Sequence, residues 1–221
     1  MILLRDSANG LEVFMVRRHE NLAFMGGAHV FPGGRVDEAD YEADESWCDG
    51  VSEARAQLAE CSPREAVGYH VAAVRELFEE GAVLLARGGD VNAKTLSRVR
   101  SDLVAAPHSF GALMQRERLR VDLGALVLCA HWITPPRLPR RFDTRFFAAR
   151  MPLDQHALHD SGEMIDSTWI TPAAALARGS EGSMELPPPT RHTLEAFRNF
   201  ATAESLLAAY RGRPVERRAP Q

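Results

Sequence analysis

Three carboxylates stand at a spacing that invites chemistry: Glu76, Glu79 and Glu80, inside Val74-Arg75-Glu76-Leu77-Phe78-Glu79-Glu80-Gly81-Ala82-Val83. At 3.6 residues per turn, positions i, i+3 and i+4 share one helix face, while Val74, Leu77 and Phe78 fall on the apolar side. Like charges so placed destabilise a helix by about 0.2–0.5 kcal/mol per pair, and acids near a helix C-terminus also oppose its dipole. Arg75 reaches Glu79 at i+4, which leaves Glu76 and Glu80 facing a common gap suited to a hard, oxygen-seeking divalent cation. The competing reading is an ordinary solvated acidic face. Upstream, Phe31-Pro32-Gly33-Gly34 follows a short apolar strand, and its two glycines permit a tight turn that exposes backbone carbonyls.

Together these stretches resemble the Nudix box of diphosphate hydrolases, G-x5-E-x7-R-E-U-x-E-E-x-G-U with U apolar. Gly34 matches its first glycine, Arg75 to Glu80 its central core and Val83 its last apolar position. Three positions depart from it: Asp40 stands for the first glutamate, a long insertion precedes Arg75, and Ala82 replaces the second glycine. The insertion, with Phe24 to Gly34 and Arg140 to Phe147, resembles the branch of peroxisomal-type acyl-coenzyme A diphosphatases and their bacterial relatives.

The resemblance implies an α/β Nudix fold, an α/β/α sandwich around a mixed sheet with helical insertions. It implies magnesium or manganese held by Glu76, Glu79, Glu80 and the Gly34 carbonyl, with Arg75 orienting Glu79. The base then comes from the helix or from a later loop, where Asp160 and Glu163 are the candidates; Arg35, Arg145 and Phe147 are the expected substrate contacts. Arg137, Arg140, Arg141 and Arg145 concentrate charge among Phe142, Phe146 and Phe147, a combination suited to phosphates and a base, although a solvated turn and edge strand would look alike. The implied reaction cleaves coenzyme A or an acyl-coenzyme A to a phosphopantetheine product and adenosine 3′,5′-bisphosphate. Hydrolysis of ADP-ribose or of dinucleotides such as NADH remains open, as does a ligand sensor without turnover, because fold and metal site do not choose among substrates.

Composition narrows the partners. The 221 residues are 45% hydrophobic, enough for one domain with insertions, and 26 basic against 30 acidic residues leave a net charge of −4. Such a chain offers no global attraction to nucleic acid or an anionic membrane, so any phosphate binding must be local; the partner that the resemblance implies is a small nucleoside diphosphate, with a homodimer allowed. Three cysteines without C-x-x-C spacing indicate neither disulfides nor a zinc ribbon, and His156 and His159 lack a third soft ligand; a cytoplasmic setting is expected.

The elements that must position these residues follow from pattern. Ile2–Leu4 and Leu11–Val16 flank an Asn-Gly hairpin signal, and Ala28–Phe31 is a brief strand that delivers the glycine turn. Residues 41–62 form an insertion with a short helix. Ser62-Pro63-Arg64-Glu65 reads as a capping box that starts the acidic helix at Pro63 and runs it to about Glu80, with one apolar stripe through Ala66, Ala73 and Leu77 and through Val67, Val74 and Phe78. His70 beside that stripe reads as a structural group. A helical insertion follows at about 91–119, with Leu96, Val99, Leu103 and Val104 inward on its first helix, and its expected role is substrate choice. Leu123–Ile133 reads as a central buried strand, Thr144–Ala148 and Ser167–Ile170 as further strands, and Thr171-Pro172 as the cap of a helix stopped at Gly179. After the Pro187–Pro189 spacer one last helix should span about 190–210, leaving a loose charged tail beyond Gly212.

Overall fold

In chain order the elements are strands β1 (Ile2–Ser7), β2 (Gly10–Arg18), β3 (His29–Val30) and β4 (Cys48–Asp49), then helices α1 (Val51–Gln57) and α2 (Pro63–Gly81). Next come β5 (Ala86–Gly88), α3 (Ala93–Ala105), α4 (Phe110–Arg116), β6 (Leu119–Asp122), β7 (Val127–Ile133), β8 (Asp143–Arg150) and β9 (Met164–Ile170). The chain closes with α5 (Pro172–Ser180), α6 (Pro188–Phe197), α7 (Ala203–Tyr210) and β10 (Arg217–Arg218). This computed structural model describes residues 1–22, 25–89, 91–134, 141–159 and 162–218. Phe24, Asp160 and the arginine turn from Pro135 to Arg140 lie outside the described residues.

Two compact units share the chain in alternating segments. One comprises Met1, Pro32–Leu126 and Met151–Asp160, the other Ile2–Phe31, Val127–Arg150 and Ser161–Gln221. The second unit holds a mixed seven-stranded sheet in the order β10-β7-β8-β1-β2-β3, with β9 also paired to β2. Pairs β1/β8 and β10/β7 are parallel and the others antiparallel. The β1–β2 hairpin forms where Asn9-Gly10 announced it, with Ser7 opposite Gly10. The alternate residues Ile2, Leu4, Val13 and Met15 join Leu194, Phe197, Leu206 and Leu207 of the C-terminal helices in one core, the two-residue period of a strand meeting the apolar stripe of a helix.

Several expectations change in this unit. The apolar run after Leu123 begins with a 3-10 turn, and the strand itself, β7, is buried between β10 and β8 as expected. Gly179 lies inside α5 because Ser180 completes its last turn, and Gly182, at φ +77, follows it. The last helix is two: α6 ends at Phe197, and Thr202 starts α7 by accepting from the Ser205 N–H at 3.1 Å, a cap that favours a fresh helix over continuation. Pro188 and Pro189 supply the first turn of α6, where proline's missing N–H costs nothing. Arg217 and Arg218 pair with His131 and Trp132, so part of the expected loose tail is a strand.

The first unit carries the short sheet β4-β6-β5 and helices α1 to α4. The α2 cap forms as expected: the Ser62 and Glu65 side chains each accept a backbone N–H from the other residue. The helix is buried far beyond one stripe, however, and from Ala66 onward its half-exposed line is Tyr69, Ala73, Glu76 and Glu79. His70 is fully buried, its Nδ1 2.7 Å from the Ala66 carbonyl, and burial lowers its pKa to about 4, as a neutral structural group requires. On α3, Leu96, Val99 and Leu103 face inward as expected but Val104 is exposed.

Ala82 ends α2 in the left-handed region at φ +57, donating its N–H to the Phe78 carbonyl at 3.1 Å. A Cβ in that region is strained, which explains why the box pattern has glycine there. Ala82→Gly should therefore stabilise the protein by about 1 kcal/mol, raising Tm by roughly 2–4 °C in thermal unfolding.

Candidate functional site

The site is built on the guanidinium of Arg75, whose side chain is 3% exposed. All five of its N–H donors are used. Nε and one Nη2 hydrogen go to the two Asp40 oxygens at 3.0 and 2.9 Å, and Nη2 also reaches the Arg35 carbonyl at 2.8 Å. Nη1 divides its two between Glu76 at 2.8 Å and Glu79 at 3.2 Å. Burial works against the charged guanidinium, but the Asp40 hydrogen bonds and the surrounding carboxylates outweigh it and hold its pKa above the ordinary value.

Asp40 was noted in the sequence only as a departure from glutamate. It is buried at the end of a short reach: a 3-10 turn over Glu38–Glu42 brings it to Arg75, and its Oδ2 also accepts the Asp37 N–H at 2.8 Å. Fork-to-fork geometry places it among the strongest ion pairs a protein makes. The signal that could have found it is its register, six residues after Gly34, where the pattern calls for an acid.

The glycine turn meets the helix directly. A Cβ on Gly34 would lie 2.5 Å from the Glu76 carboxylate carbon and from both its oxygens, so any larger residue would displace that carboxylate. The Gly33 N–H donates to Glu80 at 2.7 Å. These carboxylates are not the solvated face of the bland reading: side-chain exposure is 14% at Glu76 and 21% at Glu79, and Glu80 is buried. Burial pushes the Glu76 pKa up to about 7 against the pull of Arg75, with Glu79 adding to the rise, and burial likewise raises Glu79. One guanidinium against Asp40, Glu76 and Glu79 leaves surplus negative charge before Glu80 is counted.

That donor set suits a hard divalent cation, being carboxylate oxygens and an exposed glycine turn in a desolvated acidic pocket. Among the described residues, no three acidic, histidine or cysteine side chains already converge as a cage. In this arrangement Arg75 Nη1 bonds both Glu76 and Glu79, while Glu80 accepts the Gly33 N–H. No disulfide joins Cys48, Cys61 or Cys129, and no helix among the described residues is long and apolar enough to cross a membrane.

The remaining candidates separate. Arg35 is exposed, its carbonyl fixed by Arg75 and its side chain directed by no such bond among the described residues. In the other unit, Glu163 is 63% exposed and 3.8 Å from Arg18. Arg145 is mostly buried and engaged by Asp143 at 3.1 Å, so a phosphate there would have to compete with a carboxylate; Asp143 also bonds His131. Phe147 is 1% exposed and belongs to the core, which removes it as a stacking surface for a base. Alternation put Arg145 and Phe147 on one face, but that face is covered.

Two outcomes test this arrangement. Asp40→Asn should cost about 3–5 kcal/mol in denaturant unfolding, because it leaves Arg75 charged and under-paired in the interior. For Glu76, the folded pKa of about 7 lies above the ordinary 4.5 of a glutamate, so ionising it disfavours the folded state. Without divalent ions, wild type should lose stability relative to Glu76→Gln as pH rises from about 4.5 to about 7.

Comparison with known proteins places this geometry. A family model described as the NUDT19 Nudix domain matches residues 50–197. The chain is 28% identical over 254 residues to human acyl-coenzyme A diphosphatase NUDT19, covering 95% of this chain and 66% of that protein. It is 29% identical to the Gallus gallus protein of the same name, covering 88% of this chain and 63% of that one. The chain thus spans just under two thirds of these curated relatives. Among solved structures, a Nudix hydrolase from Alicyclobacillus acidocaldarius is similar with a TM-score of 0.79 and 28% identity, over 96% of this chain and 95% of that one.

Proposed function

The chain belongs to the Nudix hydrolases, in the NUDT19-like branch, and on that footing we propose that it is a metal-dependent diphosphatase of coenzyme A or acyl-coenzyme A. The observation that carries the reading is the packing of Gly34 on Glu76 beside an Arg75 whose every donor is committed. The relatives named acyl-coenzyme A diphosphatase support the substrate class.

Nudix hydrolases generally use divalent metal ions; magnesium or manganese is the proposed ion here, held by Glu76, Glu79, Glu80 and the Gly34 carbonyl. When bound, it would screen the diphosphate and lower the pKa of a water for in-line attack at phosphorus. The protein's own groups do the rest. Arg75, fixed by Asp40, holds the acidic turn in register, and Gly34 leaves room for the carboxylate that faces it. The base is proposed among the helix carboxylates; the raised Glu76 pKa of about 7 belongs to the metal-free site, and a bound cation would lower it. Glu163 is the alternative acceptor, its exposed carboxylate lying close to Arg18. Arg35 is the exposed cation proposed to meet substrate phosphate, with Arg145 a further contact if Asp143 releases it. Both the cytoplasmic setting and a homodimer belong to this proposal.

The test is a product assay on the purified chain with magnesium or manganese and a panel of coenzyme A, acyl-coenzyme A, ADP-ribose and dinucleotides. A phosphopantetheine product with adenosine 3′,5′-bisphosphate is expected, identified by mass. Glu80→Gln should lower turnover by several orders of magnitude. Higher kcat/KM for ADP-ribose or a dinucleotide would overturn the substrate, and absence of all hydrolysis would overturn the enzyme.

A further inference from the structure

We propose that Arg100, on the inserted helix α3, is a positioning residue that holds the metal-binding end of α2. The inference rests on the diphosphatase reading above and gives the insertion a task other than choosing substrate.

Helix α3 starts at Asn92, whose side chain accepts the Thr95 N–H at 2.9 Å, and buries Leu96, Val99 and Leu103. Arg100 sits on that same side, four residues after Leu96 and three before Leu103. An arginine within an apolar stripe needs a partner, and it has one across the helix pair. Its Nε donates to the Glu79 backbone carbonyl at 2.9 Å, and its Nη2 donates to the same oxygen.

That carbonyl belongs to the last turn of α2, whose final acceptors lack helical donors. Three of the four are met differently: Phe78 accepts from Ala82, Gly81 from the Leu158 N–H at 3.0 Å, and Glu79 from Arg100. The turn so fastened carries Glu79 and Glu80. A cation there also opposes the negative end of the helix dipole, which the glutamates aggravate.

The choice of acceptor matters. Arg75 neutralises Glu76 and Glu79 by bonding their carboxylate oxygens, the atoms a cation needs. Arg100 brings charge to the same turn through two bonds to a backbone carbonyl, which order the turn and act on the main chain of Glu79 where Arg75 acts on its side chain.

The experiment compares the full-length wild type with Arg100→Ala, Arg100→Gln and Arg100→Lys. It measures manganese affinity by calorimetry, amide hydrogen exchange along α2, and steady-state kinetics with coenzyme A. Arg100→Ala should weaken manganese binding about tenfold, equivalent to about 1.4 kcal/mol, and lower kcat while KM stays within about twofold. Exchange should quicken over residues 79–83 and not over residues 66–74, and Arg100→Lys, which keeps the charge but not the fork, should recover part of the affinity. A folded Arg100→Gln that binds manganese like wild type overturns the proposal, as does quickened exchange along the whole of α2, the mark of a merely structural contact. Wild type that neither binds manganese nor hydrolyses the panel overturns the functional reading instead, separately from the exchange result at the last turn.

Discussion

A single buried cation, the guanidinium of Arg75, is what the first unit is arranged around. Leaving any of its five donors unpaired in the interior would cost on the order of 1–3 kcal/mol or more, so the elements that supply partners are tied to it. The 3-10 turn brings Asp40, the glycine loop brings the Arg35 carbonyl, and α2 brings Glu76 and Glu79. Removing one partner harms more than exchanging the whole set for apolar groups would. Such a network is therefore kept for geometry rather than for stability, and the geometry it keeps is the meeting of the Gly34 turn with the acidic turn of the helix.

Crowding carboxylates at a helix C-terminus opposes both Coulomb repulsion and the dipole, and the fold answers at three levels. Arg75 bonds the side chains, Arg100 bonds the backbone, and the left-handed Ala82 diverts the chain before more acceptors are stranded. The charge left over is what a divalent cation would compensate. The raised pKa of Glu76 comes first from its burial and then from neighbouring Glu79, so the desolvated carboxylate takes a proton when no cation is supplied.

The other unit shows how a β-scaffold removes residues from use. Phe147 and Arg145 share a face of β8, but that face is filled, Phe147 in the core and Arg145 against Asp143. Short-range alternation tells which residues lie together and not whether the side they share is open.

Much of the arrangement was legible in the sequence because it rests on local rules. The capping box, the proline at the first helical position, the three-four spacing of the glutamates and the Asn-Gly hairpin are each decided by neighbouring residues, and the box resemblance extended them to the family. The tertiary structure decided what depends on distant partners. Asp40 and Arg75 are 35 residues apart and Arg100 and Glu79 are 21 apart, separations that no periodicity links. Burial of Glu80 and the covered Phe147 were likewise set by packing, because a side chain's solvent access depends on what other segments lie over it.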